Sequence, residues 1–192
     1  MLRKISLVAI TLALALAMMI LFQTFAFQAF MVPSTSMEPT LQVGERILVN
    51  KFAPVERGDI VVFTDPSNWL TPEEGDYLVK RVVGVSGDKI RCCNVSGNLE
   101  VNGQNVEESS YVLDGGRTDQ INFDVTVPKG ELFVMGDNRN NSPDSRYHLI
   151  APDDPFVPTS NVVGKAVMVL WPFADLRRIT DQAAVLNRIS PP

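Results

Sequence analysis

The chain has 192 residues, 45% of them hydrophobic and 20% charged, with 17 Lys and Arg against 22 Asp and Glu, a formal net charge of −5 and a pI near 4.9. These values exclude a disordered polyampholyte, a collagen-like repeat and a disulfide-stapled miniprotein. They also count against a nucleic-acid binder, whose phosphate contacts need clustered Lys and Arg. The length allows one domain, with a subdomain at most, and an ample core.

The charge is unevenly placed. After Arg3 and Lys4 no charged residue occurs until Glu38, a run of 33 residues. Residues 5–22 are apolar apart from Ser6 and Thr11, alternate Leu with Ala, and contain neither Pro nor Gly. A helix rises 1.5 Å per residue, so about 20 such residues cross the ~30 Å hydrocarbon layer. Residues 5–26 are therefore predicted to form one transmembrane helix within an N-terminal unit of residues 1–31, with Phe25, Phe27 and Phe30 near its outer boundary. Arg3 and Lys4 would hold the N-terminus in the cytoplasm and leave the remainder on the exported side. A cleavable secretory signal and a buried core helix are the alternatives.

From residue 32 to residue 175 the composition changes to short runs rich in Val, Ile, Leu and Phe, at 46–52, 59–64, 77–85, 89–93, 99–101, 123–127, 132–135 and 162–170. Asn102-Gly103 is the signature of a two-residue type I′ hairpin. No long 3.6-residue period interrupts these runs, so the fold class is mainly β, an antiparallel-sheet domain following a single N-terminal helix. Residues 65–76 and 152–158 read as loops, from their Pro and acidic content. Residues 176–192 read as a tail that frays, with a short helix around 183–186. Cys92 and Cys93 read as structural cysteines, their oxidation state left open. With only His148 beside them, they offer no recognisable metal site.

Three clusters could carry chemistry. Pro33 and Pro39 bracket the hydroxyl-rich turn Ser34-Thr35-Ser36, which taken alone reads equally as a polar linker. A Ser-His-Asp triad would have to use the lone His148, a residue more in keeping with a structural role. The other available base is Lys80, on the most apolar strand, where alternation groups it with Leu78, Val82 and Gly84. At a pKa of ~10.4 about one lysine in a thousand is neutral near pH 7.4, and a drop of ~2 units raises that fraction roughly a hundredfold at a cost of about 2.7 kcal/mol. The alternative is a lysine whose head reaches solvent. The third cluster, residues 135–146, holds Asp137, Asn138, Arg139, Ser142, Asp144 and Arg146. It reads either as a solvated loop or as a rigid hydrogen-bonded scaffold, and its arginines oppose a calcium site.

In order behind an apolar N-terminal segment, four motifs resemble those of the type I signal peptidases, or leader peptidases, membrane-bound serine proteases with a Ser-Lys dyad. They are Pro33-Ser34-Thr35-Ser36-Met37-Glu38-Pro39-Thr40-Leu41, Gly58-Asp59-Ile60-Val61-Val62-Phe63, Lys80-Arg81-Val82-Val83-Gly84-Val85-Ser86-Gly87-Asp88, and Gly136-Asp137-Asn138-Arg139 with Asn141-Ser142-Pro143-Asp144-Ser145-Arg146. The resemblance implies an endopeptidase with Ser36 as nucleophile and Lys80 as general base. Ser34 would join the Ser36 N–H in an oxyanion hole, Ser142 would orient the Lys80 amine, and Asp144 and Arg146 would support the site. Where the family usually has Gly, this chain has Thr35. The resemblance implies no cofactor and no metal. Its partners would be preprotein signal peptides, the lipid bilayer and, in encounters, the export translocase. The location would be the plasma membrane or an internal energy-converting membrane, single-pass. Phe30, Met31 and Met37 are candidates for an apolar lip near the membrane boundary or, equally, for the core. The rival readings are a different Ser-Lys peptidase with a dedicated substrate, and a catalytically silent anchored β domain.

Overall fold

In the computed structural model, which describes residues 12–18, 25–71, 75–94, 97–113, 121–149, 154–179 and 183–191, every one of the expected β runs contains a strand. The strands are β1 (Phe27–Met31), β2 (Arg46–Asn50), β3 (Ile60–Thr64), β4 (Tyr77–Gly84), β5 (Lys89–Cys92), β6 (Glu100–Val101), β7 (Gln104–Asn105), β8 (Phe123–Thr126), β9 (Glu131–Met135), β10 (Val157–Pro158), β11 (Val162–Trp171) and β12 (Arg177–Arg178). Eight strands form a large sheet in the order β1-β2-β11-β3-β4-β9-β10, with β12 beside β11, and a four-stranded sheet runs β7-β6-β5-β8. Among the described residues all pairings are antiparallel, in agreement with the mainly β expectation. The β6–β7 hairpin turns at Asn102 and Gly103 with φ of 52° and 74°, the positive pair that a type I′ turn requires.

Burial follows from strand alternation. On β3, Ile60 and Val62 pack with Met37, Leu41, Ile47, Val49 and Val79, while Val61 and Phe63 pack with Trp69, Leu78, Val82, Leu132 and Val134. A strand covered on both faces must be apolar at successive positions, as residues 60–63 are. A third cluster joins Ile90 and Val101 of the small sheet to Val83, Phe133 and Met135 of the large one. Each fully buried Val, Leu, Ile or Phe contributes about 1.5–3 kcal/mol, so these three clusters fix the central strands on which the site is built.

Several expectations change. Residues 27–31, grouped with the N-terminal unit on composition, form an edge strand paired with β2 at all five positions. The half-buried Gln28 and Phe30 alternate with exposed neighbours, a two-residue period hidden inside a uniformly apolar run. The transmembrane segment 5–26 lies mostly outside the described residues. Within it residues 12–18 are helical, and among the described residues no helix is long and apolar enough to cross a membrane.

The described residues of the tail are packed against the domain rather than frayed. Ala183, Leu186 and Ile189 recur every three residues on and beside the short helix Ala184–Asn187, and all three are buried in the third cluster. Arg57, paired with Asp88 at 2.6 Å, donates to the Ile189 carbonyl at 2.7 Å and secures the end. Cys92 and Cys93 are joined as a disulfide, a pairing on which the sequence is silent.

Candidate active site

Between β1 and β2 the chain leaves the sheet at Val32 and returns at Glu45. Its neck is closed by Val32 N–H donating to the Glu45 carbonyl at 2.8 Å and Gly44 N–H to the Val32 carbonyl at 2.9 Å. Inside this loop a 3₁₀ turn, Thr35–Met37, buries Ser36 and Met37. The turn is pinned from the loop after β9: the Asn138 N–H donates to the Ser36 carbonyl at 3.0 Å, and the Asn138 side chain to the Thr35 carbonyl at 3.2 Å. Thr35 lies in this 3₁₀ turn and is not among the residues with positive φ, so the backbone here does not require Gly. Its hydroxyl accepts from the Asn141 side chain at 2.8 Å, a further link between the two loops. An exposed hydrogen bond contributes about 0.5–1.5 kcal/mol. Steady-state kinetics of Thr35→Gly are therefore expected to show kcat reduced by no more than about tenfold.

Lys80 enters from the centre of β4, opposite Val61 on β3 and on the same face as Leu78 and Val82. It is 4% exposed, and its Nζ lies 2.7 Å from Ser36 Oγ. Burial lowers its pKa from 10.5 to about 8; the charges of Asp144 and Asp137 oppose the shift and that of Arg146 assists it. Removing water from an ammonium favours the neutral amine. The solvent-reaching alternative is not adopted. The Ser34 hydroxyl lies 3.3 Å from Ser36 Oγ on the open side.

The loop after β9 surrounds this pair with buried charges in fixed partnerships. Asp144 caps the helical turn Ser145–His148 and accepts from the Gly136 N–H at 3.0 Å and from Arg146 Nε and Nη2, each at 2.9 Å. Burial would push the Asp144 carboxyl up, but Arg146 and the Gly136 N–H outweigh it and hold the group below the usual carboxylate range. Ser142 is buried against Gly136, and among the described residues no hydrogen bond joins its hydroxyl to the Lys80 amine. The structure thus brings Ser34, Ser36 and Lys80 together, joins Asp144 and Arg146 as an ion pair, and sets Ser142 at the Asp144 carboxyl, which its hydroxyl helps hold low, with no bond to the Lys80 amine among the described residues.

Other residues of the scaffold went unassigned in the sequence. Arg81, next to Lys80, points to the opposite face and grips Asp137 through two hydrogen bonds of 2.7 and 2.6 Å. Thr40 donates to the same carboxylate at 2.5 Å, which ties the serine loop to the loop after β9. The Tyr111 ring lies under the Arg81 guanidinium at 4.8 Å and near that of Arg139 at 5.8 Å, and Arg139 pairs with Glu108 at 2.6 Å. Alternating polarity could have flagged Arg81, a charged residue on a strand buried along nearly its whole length. Nothing local marks Glu108 or Tyr111. His148 has a structural place, stacked on Trp69 with ring centroids 4.3 Å apart.

A cleft of about 520 Å³ opens on the serines and Lys80, walled by Val32, Leu70, Tyr77, Val79 and Pro143. Leu70 is held there by the Asp65 carboxylate, which accepts from the Ser67, Trp69 and Leu70 N–H groups. The expected apolar lip is altered. Met31 is 62% exposed and Phe30 packs on Tyr77, but Met37 is completely buried as part of the core.

The family described as signal peptidase, peptidase S26, matches residues 4–171 of the chain. A probable signal peptidase I of Mycobacterium leprae (strain TN) is 36% identical, over 85% of this chain and 75% of its own length. A signal peptidase I U of Bacillus subtilis (strain 168) is 34% identical, over 92% of this chain and 93% of its own. The crystal structure of a signal peptidase I from Enterococcus faecalis V583 aligns with a TM-score of 0.43 at 28% identity, over 62% of this chain and 97% of that one. With the family match running across most of the chain, and relatives of this identity aligned along most of their own lengths, the chain belongs to the signal peptidase family, peptidase S26.

Proposed function

We propose that the protein is an endopeptidase that removes N-terminal signal peptides from exported preproteins, with Ser36 as nucleophile and neutral Lys80 as general base. The observation that carries this reading is the 2.7 Å contact between Lys80 Nζ and Ser36 Oγ inside an apolar strand environment. As the ammonium, Lys80 donates to the hydroxyl. Once deprotonated, its lone pair can take the Ser36 proton across the same short distance as Oγ attacks the scissile carbonyl. The developing oxyanion would be met by the Ser36 N–H and by the Ser34 hydroxyl, which lies 3.3 Å from Ser36 Oγ. As the tetrahedral species collapses, the Lys80 ammonium passes its proton to the leaving nitrogen, the C–N bond breaks, the mature protein departs as the amine, and Ser36 Oγ is left esterified to the C-terminal carbonyl of the signal peptide. A water activated by Lys80 then releases it. Asp144, Arg146 and Ser142 support this arrangement, and no cofactor takes part.

The family resemblance implies substrates with small residues at the first and third positions before the cut, and the cleft over Ser36 and Lys80 is where they would bind. Residues 5–26 would anchor the enzyme with its N-terminus in the cytoplasm and its catalytic domain on the exported side. Confining enzyme and substrate to one bilayer raises their effective concentration. Exposed aromatics fit a domain lying against lipid: Phe25 beside Phe52, and Trp171 beside Phe173.

The test is cleavage of a purified preprotein in detergent, with the cut located by mass and the rate followed against pH. With Lys80 near a pKa of about 8, the neutral fraction rises from about one in eleven at pH 7 to about ten in eleven at pH 9. Single-turnover cleavage is expected to rise roughly tenfold over that interval. A flat profile removes Lys80 as the base, and a cut inside the mature part of the preprotein removes the substrate assignment.

A further inference from the structure

Beyond residue 171, where the family match ends, the chain returns to the serine loop. β12 pairs with β11, Val169 opposite Arg177, and the Ile179 N–H donates to the Val167 carbonyl at 3.0 Å. This register carries Arg177 to the underside of the loop between Val32 and Glu45. Arg177 Nη1 donates to Glu45 Oε1 at 2.7 Å and Nη2 to Glu45 Oε2 at 3.1 Å, the paired geometry that only a guanidinium offers a carboxylate. The same Nη2 donates to the Thr40 carbonyl at 2.9 Å.

Both ends of that grip matter to Ser36. Glu45 is 3% exposed; its own backbone closes the neck of the loop through Val32, and its side chain also accepts from the Gln42 N–H at 3.1 Å. Thr40 stands four positions after Ser36, with its hydroxyl on Asp137. Thr40 is therefore held from two directions, by Asp137 through its side chain and by Arg177 through its backbone. The segment carrying the serine is stretched between these fixed points and the Asn138 contacts at Thr35 and Ser36.

We infer that Arg177 is a positioning residue for the nucleophile, a tail-borne clamp that fixes the serine loop against the sheet so that Ser36 meets Lys80. This rests on the reading of Ser36 as nucleophile. A displacement of about 1 Å in a reacting group can cost up to a hundredfold in rate while leaving remote substrate contacts intact. The loss should thus fall on kcat and spare KM.

The experiment compares Arg177→Met, Arg177→Lys and Ser36→Ala in preprotein cleavage, with circular dichroism as the check on folding. Arg177→Met is expected to lower kcat about tenfold with KM changed less than about twofold. Arg177→Lys keeps one charge contact and should recover part of the loss, with kcat about threefold below the parent. Parental kcat in Arg177→Met beside an inactive Ser36→Ala overturns the clamp alone. Parental cleavage by Ser36→Ala overturns the nucleophile reading itself. A fall in kcat that merely matches the folded fraction, or that Arg177→Lys does not improve, makes Arg177 a stability element and also overturns the inference. If Arg177→Met does not fold, Arg177→Lys decides, and parental kcat in that variant rejects it.

Discussion

Lys80→Met is expected to abolish preprotein cleavage and at the same time to make the protein more stable at neutral pH. The loss of activity follows from the role proposed for Lys80: a positioned general base contributes about 10²–10⁴-fold, and a serine without its partner loses nearly the whole effect of the pair. The gain in stability follows from linkage. The folded pKa is lowered from 10.5 to about 8, so between those values the unfolded chain binds more protons than the folded one, and stability rises with pH across that window. Below about pH 8 both states carry the charge, and the folded state bears the full cost of burying it. A shift of this size corresponds to something on the order of 3 kcal/mol, which a methionine of similar length does not incur. Urea unfolding of parent and variant should differ by roughly that amount at pH 7 and converge above pH 10.5, where the parent lysine is neutral in either state. An equal stability at pH 7 would mean that the amine reaches water in solution, and the catalytic assignment would fall with it.

Gly136→Ala is expected to be nearly as damaging, through packing rather than proton transfer. A Cβ at this position would lie 2.5 Å from both the Ser36 carbonyl oxygen and Ser142 Cβ, and would overlap Ser142 Oγ. None of these can yield cheaply. The Ser36 carbonyl is held by the Asn138 N–H, and the Gly136 backbone is itself held by Asp144 on its N–H and by Arg139 Nε on its carbonyl at 3.0 Å. Forcing a methyl group into a filled site costs about 1–3 kcal/mol of stability. The compensating shift would move Ser36 relative to Lys80. Cleavage should fall about a hundredfold, with a lowered melting temperature that leaves the variant folded at assay temperature. Activity within a few-fold of the parent would show that the serine loop adapts freely, contrary to the web of contacts around it.

What the sequence revealed of this site, and what it hid, follows from the range of the interactions. Lys80 stood out because strand parity is a local property: its neighbours at two-residue spacing, Leu78 and Val82, had to share its face, and they do so in one buried cluster. The serine turn stood out because two prolines flank it. The ion pairs behind the site did not. Arg57 meets Asp88 across 31 positions, and Arg177 meets Glu45 across 132, so no spacing rule joins them before the sheet exists. β1 was obscured for the opposite reason, since an apolar run satisfies helical and strand periods alike. The tail looked expendable because its three buried side chains, Ala183, Leu186 and Ile189, show their purpose only against the third cluster, which no local pattern reveals.

The contact between Ser36 and Lys80 spans 44 residues, and each partner is set in place by a different part of the sheet. A half-made chain, still short of β9 and β11, would lack the strands that flank β4 and β3 and the loop that holds the serine turn. With the catalytic roles proposed for Ser36 and Lys80, hydrolytic power would be withheld until the architecture is finished, so regain of cleavage on refolding would serve as a direct clock for the last step of assembly.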